Sequence, residues 1–184
     1  FFSAHTQYAS LVPFLEVYYR VSKAVVVAEE MGTQLFHDPK ALERLDVHFA
    51  SLYFNALYAF LTTGECIAPW QTYFEYCRKP GGNAFVQMLL GINAHINGDL
   101  AVALTQSSYT EHDDFLVINT ILEQQIRSML RHLAYARFDA ISLGAWVFRG
   151  TTTSLFNTTI VLWRDFAWQC ALKHVHPRVV HVHA

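Results

Sequence analysis

Asp38-Pro39-Lys40-Ala41-Leu42-Glu43-Arg44-Leu45-Asp46-Val47-His48-Phe49-Ala50-Ser51-Leu52-Tyr53-Phe54-Asn55-Ala56-Leu57-Tyr58-Ala59-Phe60 is the stretch whose reading sets the fold class. Asp38 is an N-cap residue, and Pro39 behind it fits the first helical turn, where its missing N–H costs nothing. Leu42, Leu45, Phe49, Leu52, Ala56 and Phe60 then recur at spacings of three and four, the period of one helical face. The other side is apolar too, with Val47, Tyr53, Phe54, Leu57 and Tyr58. This spacing predicts a helix over roughly 39–62 that is surrounded by other elements instead of lying on a surface.

Outward from it, Phe14, Tyr18, Val21, Val25 and Ala28 keep the same period and predict a helix over roughly 8–30. Gly64 stops the central helix, Pro69 opens a short aromatic helix through Phe74 and Tyr76, and Lys79-Pro80-Gly81-Gly82 is a breaker. Asn83 caps a helix from Ala84 with Phe85, Met88, Leu89 and Ile92 on one face. A long helix follows from His112-Asp113-Asp114, whose carboxylates sit at the positive end of its dipole. Its core residues are Phe115, Ile118, Leu122, Ile126, Met129 and Leu133. Another helix is expected over roughly 135–148, and Thr153 or Ser154 would cap a last one ending near His174. No alternating segment is long enough to predict a strand. The expectation is an all-α, irregular multi-helix bundle around the central helix, with residues 1–174 forming one helical domain. Residues 175–184 form a His-rich tail, and the histidines near this end, His174, His176, His181 and His183, would bind metal only adventitiously.

Of 184 residues, 53% are apolar and 15% charged, which excludes a disordered chain and supplies a self-sufficient core. Thirteen Lys and Arg against fifteen Asp and Glu give a formal charge of −2, with no basic footprint for nucleic acid or an anionic membrane. Val47–Gly64 and Pro80–Gly98 lack charge, but their Asn, Gln, His and Thr residues argue against a membrane span. Cys66, Cys77 and Cys170 are widely spaced and fit a reducing, cytoplasmic setting, while an opening Phe1-Phe2-Ser3 leaves secretion open. No nucleophile elbow or phosphate-binding loop is present.

The chemistry concentrates in Leu90-Gly91-Ile92-Asn93-Ala94-His95-Ile96-Asn97-Gly98-Asp99-Leu100, two amides, an imidazole and a carboxylate in apolar surroundings. If the helix continues through it, His95 and Asp99 stand at i and i+4 on one face, within reach of a common ion or water. His112 or Asp114 could add a ligand, as could Asp46 or His48 of the central helix, in a mixed N/O site for zinc, iron or manganese. If instead the helix ends at Asn97-Gly98, Asp99 caps the next helix and His95 is a hydrogen-bonded core residue.

These residues resemble an uncharacterised family of helical proteins, a domain of unknown function, whose members carry Gly-Met-Asn-Ala-His-Ile-Asn-x-Asp-Leu-Pro. Ile92 replaces the usual Met and Ala101 the usual Pro, and neither change removes a polar group. The resemblance extends to Leu45-Asp46, to Phe49–Leu57 and to His112-Asp113-Asp114-Phe115 with Asn119 beyond, covering roughly 10–172. It implies a shared fold and polar pocket, and no established reaction. His-x-x-x-Asp in a helical bundle also resembles, two residues deep, the zinc-dependent phospholipase C and single-strand nuclease superfamily. The second ligand pair and the N-terminal Trp of that superfamily have no counterpart here.

Two functions are expected. In the first, the chain is an enzyme acting on a small, largely apolar ligand, with His95, Asp99 and Asp46 as catalytic residues and Asn93, Asn97, Tyr53, Tyr18 and Asn55 around the substrate. It would use one divalent metal held by His95, Asp99, His112 and Asp114 for hydrolysis, or no cofactor and acid–base chemistry for hydrolysis, cyclisation or isomerisation. In the second, the chain is a non-catalytic binding or scaffold protein whose His/Asp/Asn cluster is a structural hydrogen-bond network. Oligomeric state is not encoded in any pattern of the sequence.

Overall fold

A computed structural model describes residues 6–30, 35–136 and 150–175, and every described element is helical. A 3₁₀ turn over Thr6–Leu11 leads into α1 (Val12–Glu30), followed by α2 (Pro39–Thr63), α3 (Ala68–Arg78) and α4 (Ala84–Asn93). A π-helical segment, Ala94–Asp99, joins α4 to α5 (Leu100–Gln106), and α6 (His112–Ala136) and α7 (Gly150–Val175) complete the order. The helix expected over 135–148 lies almost wholly outside the described residues, as does the His-rich tail beyond 175. The last helix starts at Gly150, so Ser154 sits inside its first turns and is not the cap expected of it. No described helix is long and apolar enough to cross a membrane.

Local chemistry explains the boundaries. Asp38 Oδ1 accepts from the Ala41 amide at 2.9 Å, Pro39 occupies the first turn, and Gly64 closes α2 with φ 81°, a left-handed conformation that glycine adopts without strain. Asn83 Oδ1 accepts from Phe85 and Val86 at the start of α4. Asp114, the second acidic residue of α6, reaches the backbone amides of His37 and Asp38 at 2.8–3.0 Å, pinning the segment that leads into α2 against α6.

The centre of the bundle is not the helix expected there. Helix α2 buries Leu42, Leu45, Tyr53, Ala56, Leu57 and Phe60, but Val47, Phe54, Tyr58 and Leu61 on its other side are exposed. An apolar pattern on two faces does not say which face finds a partner. The interior position falls to the π segment and α5. Ala94, Leu100, Ala103 and Leu104 are at most 1% exposed, and the π segment touches α2, α3, α4, α5 and α7.

Helix α1 crosses α4 at a glycine. A Cβ built on Gly91 would stand 2.5–2.7 Å from the Cβ and ring atoms of Phe14, which is itself packed against Tyr53, Trp70 and Tyr73. Phe14 cannot retreat, so Gly91→Ala is expected to overpack the crossing and cost about 1–3 kcal/mol, measured as a lower urea midpoint with an unchanged m-value.

Candidate functional site

The Asn93–Leu100 stretch neither ends a helix at Gly98 nor continues as a regular α-helix. Gly98 has no left-handed φ and Asp99 makes no capping bond. Instead the turn widens, with the Leu100 amide bonding five residues back to the His95 carbonyl. Such π turns insert an extra residue and are frequent at functional sites. A Cβ at Gly98 would meet Pro69 of α3 at 3.4 Å, an ordinary van der Waals contact, so the approach of α3 does not itself require glycine there.

Within this widened turn His95 and Asp99, four residues apart, remain neighbours inside the bundle. His95 Nδ1 lies 3.3 Å from Asp99 Oδ2, and the same oxygen accepts from Trp70 Nε1 of α3 at 2.9 Å. An ionised carboxylate only accepts, so Nδ1 carries the hydrogen and the lone pair is left on Nε2. His95 Nε2 and Asp99 Oδ1 are buried with no hydrogen-bond partner. The imidazole is boxed by rings: Phe49 stacks on it at 3.5 Å, and Tyr18 and Phe14 meet it edge-on at 5.0 and 5.6 Å. Burial therefore lowers the His95 pKa below its ordinary 6.5, opposed by Asp99 and Asp46 and assisted by the Arg164 charge.

His95 lines a cavity of about 180 Å³ between α1, α2, α6 and α7, whose walls include Val21, Leu42, Ile92, Ile118 and Ile126. Tyr18 and Asp46 line it too, and the Tyr18 hydroxyl donates to Asp46 Oδ1 at 3.3 Å. Asp46 as a residue remains open to water at the rim. Partial burial of its carboxyl raises its pKa, while the Tyr18 bond and the nearby His95 limit the rise. Two groups that were not among the expected site residues belong here. Arg164 of α7 lines the cavity and is 5% exposed, and its Nε donates to Asn119 Oδ1 of α6.

The other expected residues lie elsewhere. Tyr53 is buried behind the cavity wall, packed on Phe14 and Trp70 at 5.4 and 4.9 Å. Asn93 and Asn97 bond each other at 2.9 Å, away from the cavity lining, and Asn55 is exposed on α2. His112 packs on Trp168 at 4.9 Å and Asp114 is engaged by His37 and Asp38, so neither is brought to His95 and Asp99. Among the described residues no group of three or more His, Cys, Asp or Glu is close enough to hold a metal ion. The local signal for Arg164 in the sequence is a cation at the end of the apolar run Ile160-Val161-Leu162-Trp163, followed directly by Asp165.

The chain belongs to a family of unknown function (DUF5995), which it matches over residues 3–180. No curated protein and no solved structure matches it.

The depressed His95 pKa has a stability consequence. Below pH 6.5 the unfolded chain takes up a proton that folded His95 refuses, so this contribution is complete above 6.5 and lost as pH falls towards the folded pKa. Melting temperatures recorded from pH 8 downward should fall more steeply below about 6.5 in the wild type than in His95→Gln, which has no proton to bind.

Proposed function

We propose that the chain is an enzyme that performs acid–base chemistry on a small, largely apolar molecule bound in the cavity, with His95 Nε2 as the base. One observation carries this reading: His95 and Asp99, held in a π turn beside a cavity, each keep one buried polar atom without a partner. A purely structural network satisfies its buried atoms, because each orphan costs stability without return. A base, by contrast, needs a free lone pair.

Asp99 supports the base in two ways. It fixes the tautomer through Nδ1–H, and it stabilises the imidazolium once Nε2 has taken a proton. The proton could come from water, leading to hydrolysis, or from carbon, leading to isomerisation or cyclisation. Asp46, hydrogen-bonded by Tyr18 at the rim, is a further titratable group on the cavity and the candidate to exchange that proton with the medium. Apolar walls favour an apolar substrate body. A metal-assisted form of the reaction would find two ligands, His95 and Asp99, and needs a third that no described cluster supplies.

The test is Asp99→Asn. The Asn carbonyl still accepts from Trp70, so the unfolding free energy should stay within about 1 kcal/mol of wild type. Turnover should drop by about 10²–10⁴ because the imidazolium loses the negative charge that stabilises it. Untargeted mass spectrometry of a small-molecule extract incubated with wild type, Asp99→Asn or His95→Asn should reveal a species consumed by the wild type and spared by both variants. Collapse of folding in both variants, with no species consumed by the wild type, would overturn the reading in favour of a structural network.

A further inference from the structure

Among the described residues Arg164 is the buried cation on the cavity wall, and no described carboxylate forms an ion pair with it, Asp165 acting on it only through space. Its guanidinium carbon lies 4.3 Å from the Phe115 ring centroid, and Nε donates to the Asn119 carbonyl oxygen. Among the described residues neither of the two ion pairs involves it. A guanidinium has five N–H donors in a planar fork, and only the Nε hydrogen is engaged by a described side chain. Desolvation pushes its pKa down to about 10, which leaves it charged at neutral pH. A buried charge with no ion-pair partner among the described residues is costly, and an apolar residue of similar volume would serve packing better. A guanidinium placed beside an apolar cavity is suited to hold an anion there.

We propose that Arg164, braced by Asn119, anchors a carboxylate, so that the cavity takes a monocarboxylic acid with an apolar body of medium-chain or single-ring size. The inference rests on the reading of the cavity as the reaction site and names its substrate class. The planar fork matches a carboxylate bidentately. A cavity of about 180 Å³ is somewhat larger than an apolar cavity of roughly 150 Å³ that accommodates benzene. Apart from Tyr18, Ser22 and His95 the walls are mainly Val, Leu, Ile and Phe, which offer no donors for the further oxygens and second charge of a phosphate, whose burial would cost more than that of a monoanion. The exposed Glu29, Glu43 and Asp46 at the rim disfavour an anion there, so the favourable position for the carboxylate is inward, at Arg164.

Calorimetric titration of the full chain with matched probes tests this: octanoate against 1-octanol, and phenylacetate against 2-phenylethanol. Each acid should bind about tenfold or more tightly than its alcohol, as charge-assisted hydrogen bonds to the guanidinium predict. Arg164→Met should abolish that preference. Asn119→Asp should weaken it as well, by giving Arg164 an internal carboxylate while keeping its buried partner, and this variant decides the matter if Arg164→Met fails to fold. Equal affinity for acid and alcohol, binding of neither, or a preference that survives both variants would overturn the proposal. Asp99→Asn, outside the anchor, should keep octanoate affinity within about threefold, which separates the two readings. Acid preference with no reaction lost in Asp99→Asn supports the anchor and sinks the acid–base role. Equal affinities with turnover still lost in Asp99→Asn sink the anchor alone.

Discussion

A single carboxylate oxygen, Asp99 Oδ2, receives both the indole N–H of Trp70 and the ring N–H of His95. Asp99 is 1% exposed and Trp70 is fully buried, so neither has water as an alternative partner. That shared oxygen ties α3 to the π segment, fixes the tautomer of His95, and holds the imidazole beneath Phe49. Each neighbouring contact follows from it. Phe14 packs on Trp70 at 5.4 Å and on His95 at 5.6 Å, and the α1–α4 crossing forms where Phe14 meets Gly91.

The π turn gives the arrangement its geometry. A regular helix with its i→i+4 bonds would carry the chain from α4 into α5 with one residue fewer in the turn. The wider turn, closed by the Leu100 amide on the His95 carbonyl, lets His95 and Asp99 share one side of the segment while Leu100 and Leu104 remain in the core. Two centres of opposite chemistry then line one cavity. His95 is a neutral base backed by a carboxylate, and Arg164 is a cation whose charge also holds down the affinity of His95 for a proton. Neutralising Arg164 with a bound anion would ease that restraint, which links occupation of one centre to the basicity of the other.

Part of this site was legible and part was not, for identifiable reasons. His95 and Asp99 declared themselves by i, i+4 spacing within an apolar run, and Asp46 and Tyr18 by lying on helices with predictable faces. Asn93 and Asn97 stood in the same run but pair with each other away from the cavity, because each lies two positions from His95 and so on a different side of the helix, while their own spacing of four puts them on one face. Asp114 looked like a ligand and is instead a support for the amides entering α2, a role set by a segment 76 and 77 residues earlier in the chain. Arg164 and Asn119 meet across 45 residues, and no local pattern encodes that meeting.

The sequence by itself determined the helical class, the N-caps at Asp38 and Asn83, the stop at Gly64, and the His95–Asp99 spacing. All of these depend on interactions between residues a few positions apart, which composition and period report directly. Only the tertiary structure decided which face of α2 is buried, that the turn at Ala94–Asp99 is a π turn, and that Arg164 of α7 lines the same cavity as His95. Those outcomes depend on which surfaces find partners in three dimensions, and burial energies of alternative faces are too similar for a one-dimensional pattern to separate.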